Sequence, residues 1–326
     1  MDLFTHVLVG YLLAFAVTGF QPGYIAAGAL AGGLPDGDAV LFLLARRYPI
    51  FRHHGITHSI FGVTVVALVG AYFAPMILPG NPLVYFVVME LGGLGHIAAD
   101  GFTNFSVSPL LPFSNRPLEI DADRAINFVT LVVSVGALVL LGSERFHVSF
   151  AVYLASVYAL TAFYASYFGV RLLGRYRIGQ IRRSLPEFTT PIPTTNPLRW
   201  LLVYERRENG RLRSGLAEYR LGRGIRGEVR RLDVPLAPEG DGPVANAEEA
   251  LARSYPAARK ANSILDDTYH TGTAVPRDGG GWLVRWYSLE FAAFGRAAGV
   301  RVEIEPSGEL KAHSAWLPTR GIASPH

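Results

Sequence analysis

The chain has no cysteine. That excludes disulfide staples and thiolate ligands, so a metal site here can be built only from imidazole nitrogen and carboxylate oxygen. Charge is also scarce. Lys, Arg, Asp and Glu make up 17% of the 326 residues against 50% hydrophobic, and mean hydropathy is +0.26. An ordinary soluble domain carries about 25% charged residues, so the deficit indicates membrane segments with a soluble part attached. The scarcity is uneven. Residues 1–170 hold 6 Lys/Arg and 9 Asp/Glu, whereas residues 171–326 hold 24 and 17. The pI of 9.3 therefore belongs to the second half. Its charges are mixed in sign, which argues against nucleic acid as a partner. Basic residues next to the membrane, facing anionic lipid, account for the excess.

A signal-peptide pattern is lacking too. The first apolar run, residues 6–18, follows Asp2 rather than a basic stretch and has no small-residue cleavage pattern, so it is expected to stay as a helix. Further apolar segments run over residues 24–45, 58–78, 83–99, 126–141 and 148–173. Pro35-Asp36-Gly37-Asp38 breaks the second of them. The fold expected over residues 1–175 is an all-α polytopic membrane bundle of about six helices. Arg46, Arg47 and Arg52 lie between segments two and three, and Arg171, Arg175, Arg177, Arg182 and Arg183 follow segment six. This asymmetry places both termini, and the C-terminal domain, on the cytoplasmic side of the cell membrane.

Residues 176–197 form a basic juxtamembrane segment and a Pro/Thr-rich linker. Residues 198–326 change character and read as a small soluble α+β domain. Strands are expected at 200–206, 227–234, 282–291 and 300–305, and a helix at 245–269 with Asn246 as its cap. Gly222-Arg223-Gly224-Ile225-Arg226-Gly227 fits a dinucleotide fingerprint only by letters, because no apolar strand leads in and no helix follows.

The chemistry-bearing residues interrupt the apolar half. His53, His54 and His58 fall where the chain enters the third segment. His96 and Asp100 are spaced i, i+4, one turn apart on one helix face. Asp36 and Asp38 flank Gly37, and like charges this close repel unless a proton or cation relieves them. Each piece has a plain structural reading: a hydrogen-bonded His–Asp pair, a solvated turn or helix cap, an interfacial histidine. Thr57 would cap the third helix with His58 in its first turn. Taken as a set, His6, Asp36, Asp38, His53, His58, His96 and Asp100 point to one metal site. The expected topology puts all of them near one membrane face.

Thr5-His6, Pro35-Asp36-Gly37-Asp38, His53-x-Gly-x-Thr57-His58-Ser59 and His96-x-x-x-Asp100-x-x-Thr103, followed by Leu110-Leu111-Pro112-Phe113, resemble the LexA-regulated, YdjM-like membrane-bound metal-dependent hydrolases. The likeness covers roughly residues 1–175. It implies a multi-spanning inner-membrane hydrolase and leaves the substrate open. His54 stands where that family commonly has Arg. It would contact an anionic group only when protonated, or join the metal site.

The expected cofactor is a divalent ion. Zinc suits a cysteine-free His/Asp set best, with manganese or iron as alternatives. The ion would activate water and polarise a phosphoryl or carbonyl oxygen, and an unligated Asp or His, with Asp38 and His54 as candidates, would take the proton. Arg116 is the candidate clamp for an anionic group. A site at the membrane face suggests a membrane lipid or other amphiphilic ester as substrate. The rival function is a transporter or an ion- or proton-conducting protein using the same cluster.

Overall fold

The computed structural model of the chain describes residues 1–38, 55–104, 106–147, 149–181, 190–235, 242–262, 265, 270–293 and 296–318. It divides into two compact units, residues 1–175 with 193–197, and residues 176–192 with 198–326.

The first unit is helical. α1 (Leu3–Thr18) starts at Asp2, whose side chain accepts the backbone N–H of Thr5 at 2.9 Å. That is an N-cap, and it fixes the turn carrying His6. α2 (Pro22–Gly33) begins with Pro at its first position, where the missing N–H costs nothing. It gives way to a 3-10 turn at Pro35–Gly37. A second 3-10 turn, Ile56–His58, precedes α3 (Ile60–Ile77). The cap of α3 is Ser59, whose hydroxyl accepts from Gly62 N–H at 3.0 Å; Thr57 faces Asp38 instead. α4 (Pro82–Gly101) is capped by Asn81. α5 (Phe128–His147) runs through the expected connection at 142–147, and α6 (Phe150–Ile181) runs past residue 173 to a length of 32 residues.

α3, α4 and α6 are long and apolar enough to cross a bilayer. The six crossings expected are therefore not all present among the described residues. α1 and residues 128–142 of α5 are apolar but shorter. α2 stops after 12 residues, about 18 Å against a hydrocarbon core of about 30 Å. Pro35 forbids its continuation, and residues 39–54, which include Arg46, Arg47, Arg52, His53 and His54, lie outside the described residues. The outer faces of α3 and α5 expose Phe61, Val66, Phe73, Ile77, Val132 and Val139. Contiguous apolar surface of this kind belongs in lipid.

Glycine sets how closely α1, α2 and α4 approach. A Cβ on Gly28 would lie 2.5 Å from the Ala14 side chain, and one on Gly32 would lie 2.5 Å from the carbonyl oxygen of His6. A side chain on Gly92 or Gly10 would likewise strike the Gly28 carbonyl, at 2.4 and 2.3 Å. Three helix backbones touch here, as small residues permit in membrane bundles.

A buried polar network lies beside the end of α4. Asp123 accepts from Tyr167 Oη at 2.6 Å and Asn127 Nδ2 at 2.8 Å, and pairs with Arg171 at 2.7 Å. Arg171 also donates to the carbonyls of Thr194 (2.5 Å) and Asn196 (3.3 Å). Residues 120–123 in turn donate to the backbone of Gly101–Thr103, tying this network to the end of α4. The basic residues after the sixth segment are thus partly structural: Arg175 donates to the Ile120 carbonyl at 2.8 Å.

The second unit holds two four-stranded sheets in chain order, β1 (Thr190–Pro193), β2 (Arg199–Glu208), β3 (Arg211–Arg220), β4 (Gly224–Pro235), then β5 (His270–Pro276), β6 (Trp282–Ala293), β7 (Arg296–Ile304), β8 (Leu310–Pro318). α7 (Ala247–Ala261) has Asn246 as its cap, accepting from Glu249 N–H at 2.9 Å. It ends at Ala261 rather than 269. Its Tyr255 and Ala258 pack with Trp286, Val300 and Val302, and Trp286 Nε1 donates to Ser254 at 3.0 Å. Gly222 and Gly224 take positive φ of 78° and 72° in the turn between β3 and β4, which is the whole role of the glycine-rich letters there.

Arg171→Met should lower the unfolding free energy of the first unit by about 3–5 kcal/mol, since it leaves a buried carboxylate without its cation. Arg171→Met combined with Asp123→Leu should regain part of that loss. Thermal unfolding in detergent, compared across the two single variants and the double, measures the coupling. Additive losses would show that the pair is not coupled.

Candidate metal centre

Four polar pieces from distant parts of the chain meet at the start of α1, the C-terminal ends of α2 and α4 and the start of α3. His6 comes from the first turn of α1, Asp36 and Asp38 from the 3-10 turn after α2, His58 from the 3-10 turn before α3, and His96 and Asp100 from the last turns of α4. His6, Asp38, His58, His96 and Asp100 are buried, and Asp36 is partly exposed.

Asp100 is the hub. His6 Nε2 lies 3.0 Å from its Oδ1, His96 Nε2 3.2 Å from its Oδ2, and His58 Nε2 3.5 Å from the same Oδ2. The α-amino group of Met1 also contacts Oδ1. Asp36 Oδ1 faces His58 and His96 at 3.7 and 3.8 Å. The rings of His6 and His96 stack with centroids 3.7 Å apart.

His96 Nδ1 lies 2.7 Å from the carbonyl oxygen of Gly32. A carbonyl only accepts, so Nδ1 carries a proton and Nε2 is the nitrogen turned toward the carboxylates. Metal-binding histidines are held in this way, with the second nitrogen on a carbonyl or carboxylate. His6, buried, has no hydrogen-bond partner on Nδ1 among the described residues.

One ligand atom each from His6, Asp36, His96 and Asp100 lies within 4.8 Å of every other. Ligand atoms about 2.1 Å from a tetrahedral zinc ion stand about 3.4 Å apart. The set, no more than 4.8 Å across, would have to draw in by up to about 1.4 Å at its widest pair to hold such an ion. Two nitrogens and two carboxylates suit zinc, manganese or iron.

Asp38 and His58 belong to the same cluster but pair with each other. His58 Nδ1 is 3.1 Å from Asp38 Oδ2, and Thr57 Oγ1 donates to that oxygen at 2.9 Å. Burial alone would push the His58 imidazole down. Its hydrogen bonds to Asp36 and Asp38, with the charges of Asp38 and Asp100, outweigh this and raise it to about 9. Burial likewise pushes Asp36 up, but the contact with His58 and the nearby His96 and His6 hold it below the usual carboxylate range.

His53 and His54 lie outside the described residues. Arg116 is exposed on the segment after α4 and forms no ion pair with the cluster among the described residues. The Gly32 carbonyl was not visible as a site group, because a backbone acceptor has no sequence signature. Glu90, within α4, accepts from Thr64 of α3 at 2.9 Å and ties those two helices together.

A family described as YdjM inner membrane protein matches residues 1–175. No curated protein and no solved structure matches the chain.

Gly32→Ala presses a methyl group against the His6 carbonyl and shifts the acceptor that orients His96. It should weaken zinc binding by about 10–100-fold, as losing an orienting partner does. Competition of the detergent-purified protein against a chromogenic chelator measures this. Affinity equal to wild type would detach the glycine contact from the site.

Proposed function

Because the chain belongs to the YdjM inner membrane protein family, we propose that it is a membrane-bound metal-dependent hydrolase acting on an ester at the membrane face. The observation that carries this is the meeting of His6, Asp36, His96 and Asp100 within the span of one ion. These four are the proposed ligands. A divalent ion held by them would supply an acidified water and polarise the ester oxygen.

The remaining groups have distinct tasks. Asp38, held by Thr57, accepts from His58 Nδ1 and fixes which nitrogen of His58 faces inward. His58 Nε2, 3.5–3.7 Å from the two ligand carboxylates, is then the group that moves a proton at the reacting centre. Asp38 is a positioning residue in this scheme. Burial of His58, His96 and Asp100 keeps bulk water from the cluster. The cytoplasmic side is the proposed location of the site and of the C-terminal domain, supported by the Arg-rich segments next to α3 and α6.

Purified protein should carry about one zinc, manganese or iron ion per chain by elemental analysis, and Asp100→Asn should lose it. Asp38→Asn should keep the metal while kcat on a p-nitrophenyl ester falls by about 10²–10⁴-fold, the usual contribution of a positioned acid–base group. Equal kcat in Asp38→Asn would remove the dyad from the mechanism. Metal-dependent ion flux in liposomes without ester cleavage would favour transport instead.

A further inference from the structure

An apolar cavity of about 350 Å³ lies against the cluster. Ligand pockets run from about 300 to 1,000 Å³. Its walls come from the end of α2, both 3-10 turns, α3 and α4, and they include Pro35, Thr57, Phe61, Val66, Met89 and Gly93. Among the described residues no charged side chain lines it. A nucleotide, sugar or lipid headgroup inside it would lose its hydration without replacement. A hydrocarbon chain would not.

Two observations say where such a chain leads. Pro35 and Thr57 line the cavity and immediately precede Asp36 and His58 in the chain. Thr57 Oγ1 is bonded to Asp38, so one side chain belongs both to the cavity wall and to the cluster. On another wall, Phe61, Val65 and Val66 are 46%, 43% and 41% exposed on α3, the helix whose apolar surface faces lipid. The cavity is thus continuous with the bilayer side of α3 and ends beside the carboxylates.

We propose that the ester cleaved here belongs to a membrane lipid, and that one of its acyl chains enters this cavity from the bilayer and sets the ester at the His/Asp cluster. The proposal rests on the hydrolase reading above. The apolar walls fix the substrate class through the chain, and the headgroup remains at the cluster's polar edge.

The test uses the full chain in nanodiscs of phosphatidylethanolamine and phosphatidylglycerol, loaded with zinc. Two assays run side by side: cleavage of phospholipid, and cleavage of a water-soluble p-nitrophenyl ester. Val66→Trp fills the cavity from its exposed wall without touching the cluster. It should cut phospholipid turnover by roughly tenfold or more, the equivalent of excluding two or more methylenes, and leave the soluble ester unchanged. Shortening the acyl chain of a monomeric substrate should lower kcat/KM by roughly fourfold per methylene while the chain remains inside. A phospholipid bearing a mid-chain diazirine should label cavity residues saturably in wild type and not in Val66→Trp, with labelling of Val132 and Val139 on α5 the same in both.

Cleavage of the soluble ester but not of phospholipid would overturn the lipid assignment and leave the hydrolase standing. Equal phospholipid turnover and labelling in Val66→Trp would overturn the cavity as the chain site. Cleavage of neither ester by zinc-loaded wild type would overturn the hydrolase reading and this proposal with it; saturable cavity labelling would then mark a lipid site without hydrolysis.

Discussion

The site depends on backbone contact between helices. α2 presents Gly28 and Gly32 to α1 and α4, and neither position has room for a methyl group. Only at this separation can the Gly32 carbonyl reach His96 Nδ1 at 2.7 Å and the rings of His6 and His96 stack at 3.7 Å. In a bilayer there is no hydrophobic gain from bringing apolar helices together, so close van der Waals packing and interhelical hydrogen bonds must hold them. The glycines supply the first and the His96–Gly32 bond the second. α2 is too short to span the membrane, and its role is that of a wedge which places one carbonyl and one acidic turn.

Much of this was legible in the sequence and some was not. Charged and imidazole groups amid apolar residues identified His6, Asp36, His58, His96 and Asp100 because such groups are costly in lipid. The i, i+4 spacing placed His96 and Asp100 together. The distinction between Asp38 and Asp36 was not legible. It turns on which way two carboxylates point from one 3-10 turn, and composition carries no such information. Helix ends were misjudged where a later interaction overrides the apolar run. α6 continues beyond residue 173 with Arg171 on Asp123 and Arg175 on Ile120. In the second unit, β3 escaped notice because Ser214, Gly215 and Ala217 are buried along with Leu212, Leu216 and Tyr219, so the period-two pattern is diluted. β1, β5 and β8 were not expected either, whereas parts of β2, β4, β6 and β7 were.

Two buried polar clusters of the first unit, around Asp123 and around Asp100, differ in kind. Around Asp123 the accounts close. One carboxylate meets one guanidinium, with Tyr167 and Asn127 completing its hydrogen bonds and two backbone carbonyls completing those of Arg171. Such a cluster is self-sufficient and asks for no ligand. Around Asp100 charge is shared differently. Three carboxylates, Asp36, Asp38 and Asp100, face three imidazoles, and the Met1 α-ammonium meets Asp100. Relief comes from protons on the histidines or from a cation among them. A divalent ion bound among them would neutralise two carboxylates and use the lone pairs of neutral imidazoles. The same unit therefore holds a finished ion pair and, beside it, a set of ligand atoms that could hold a metal ion.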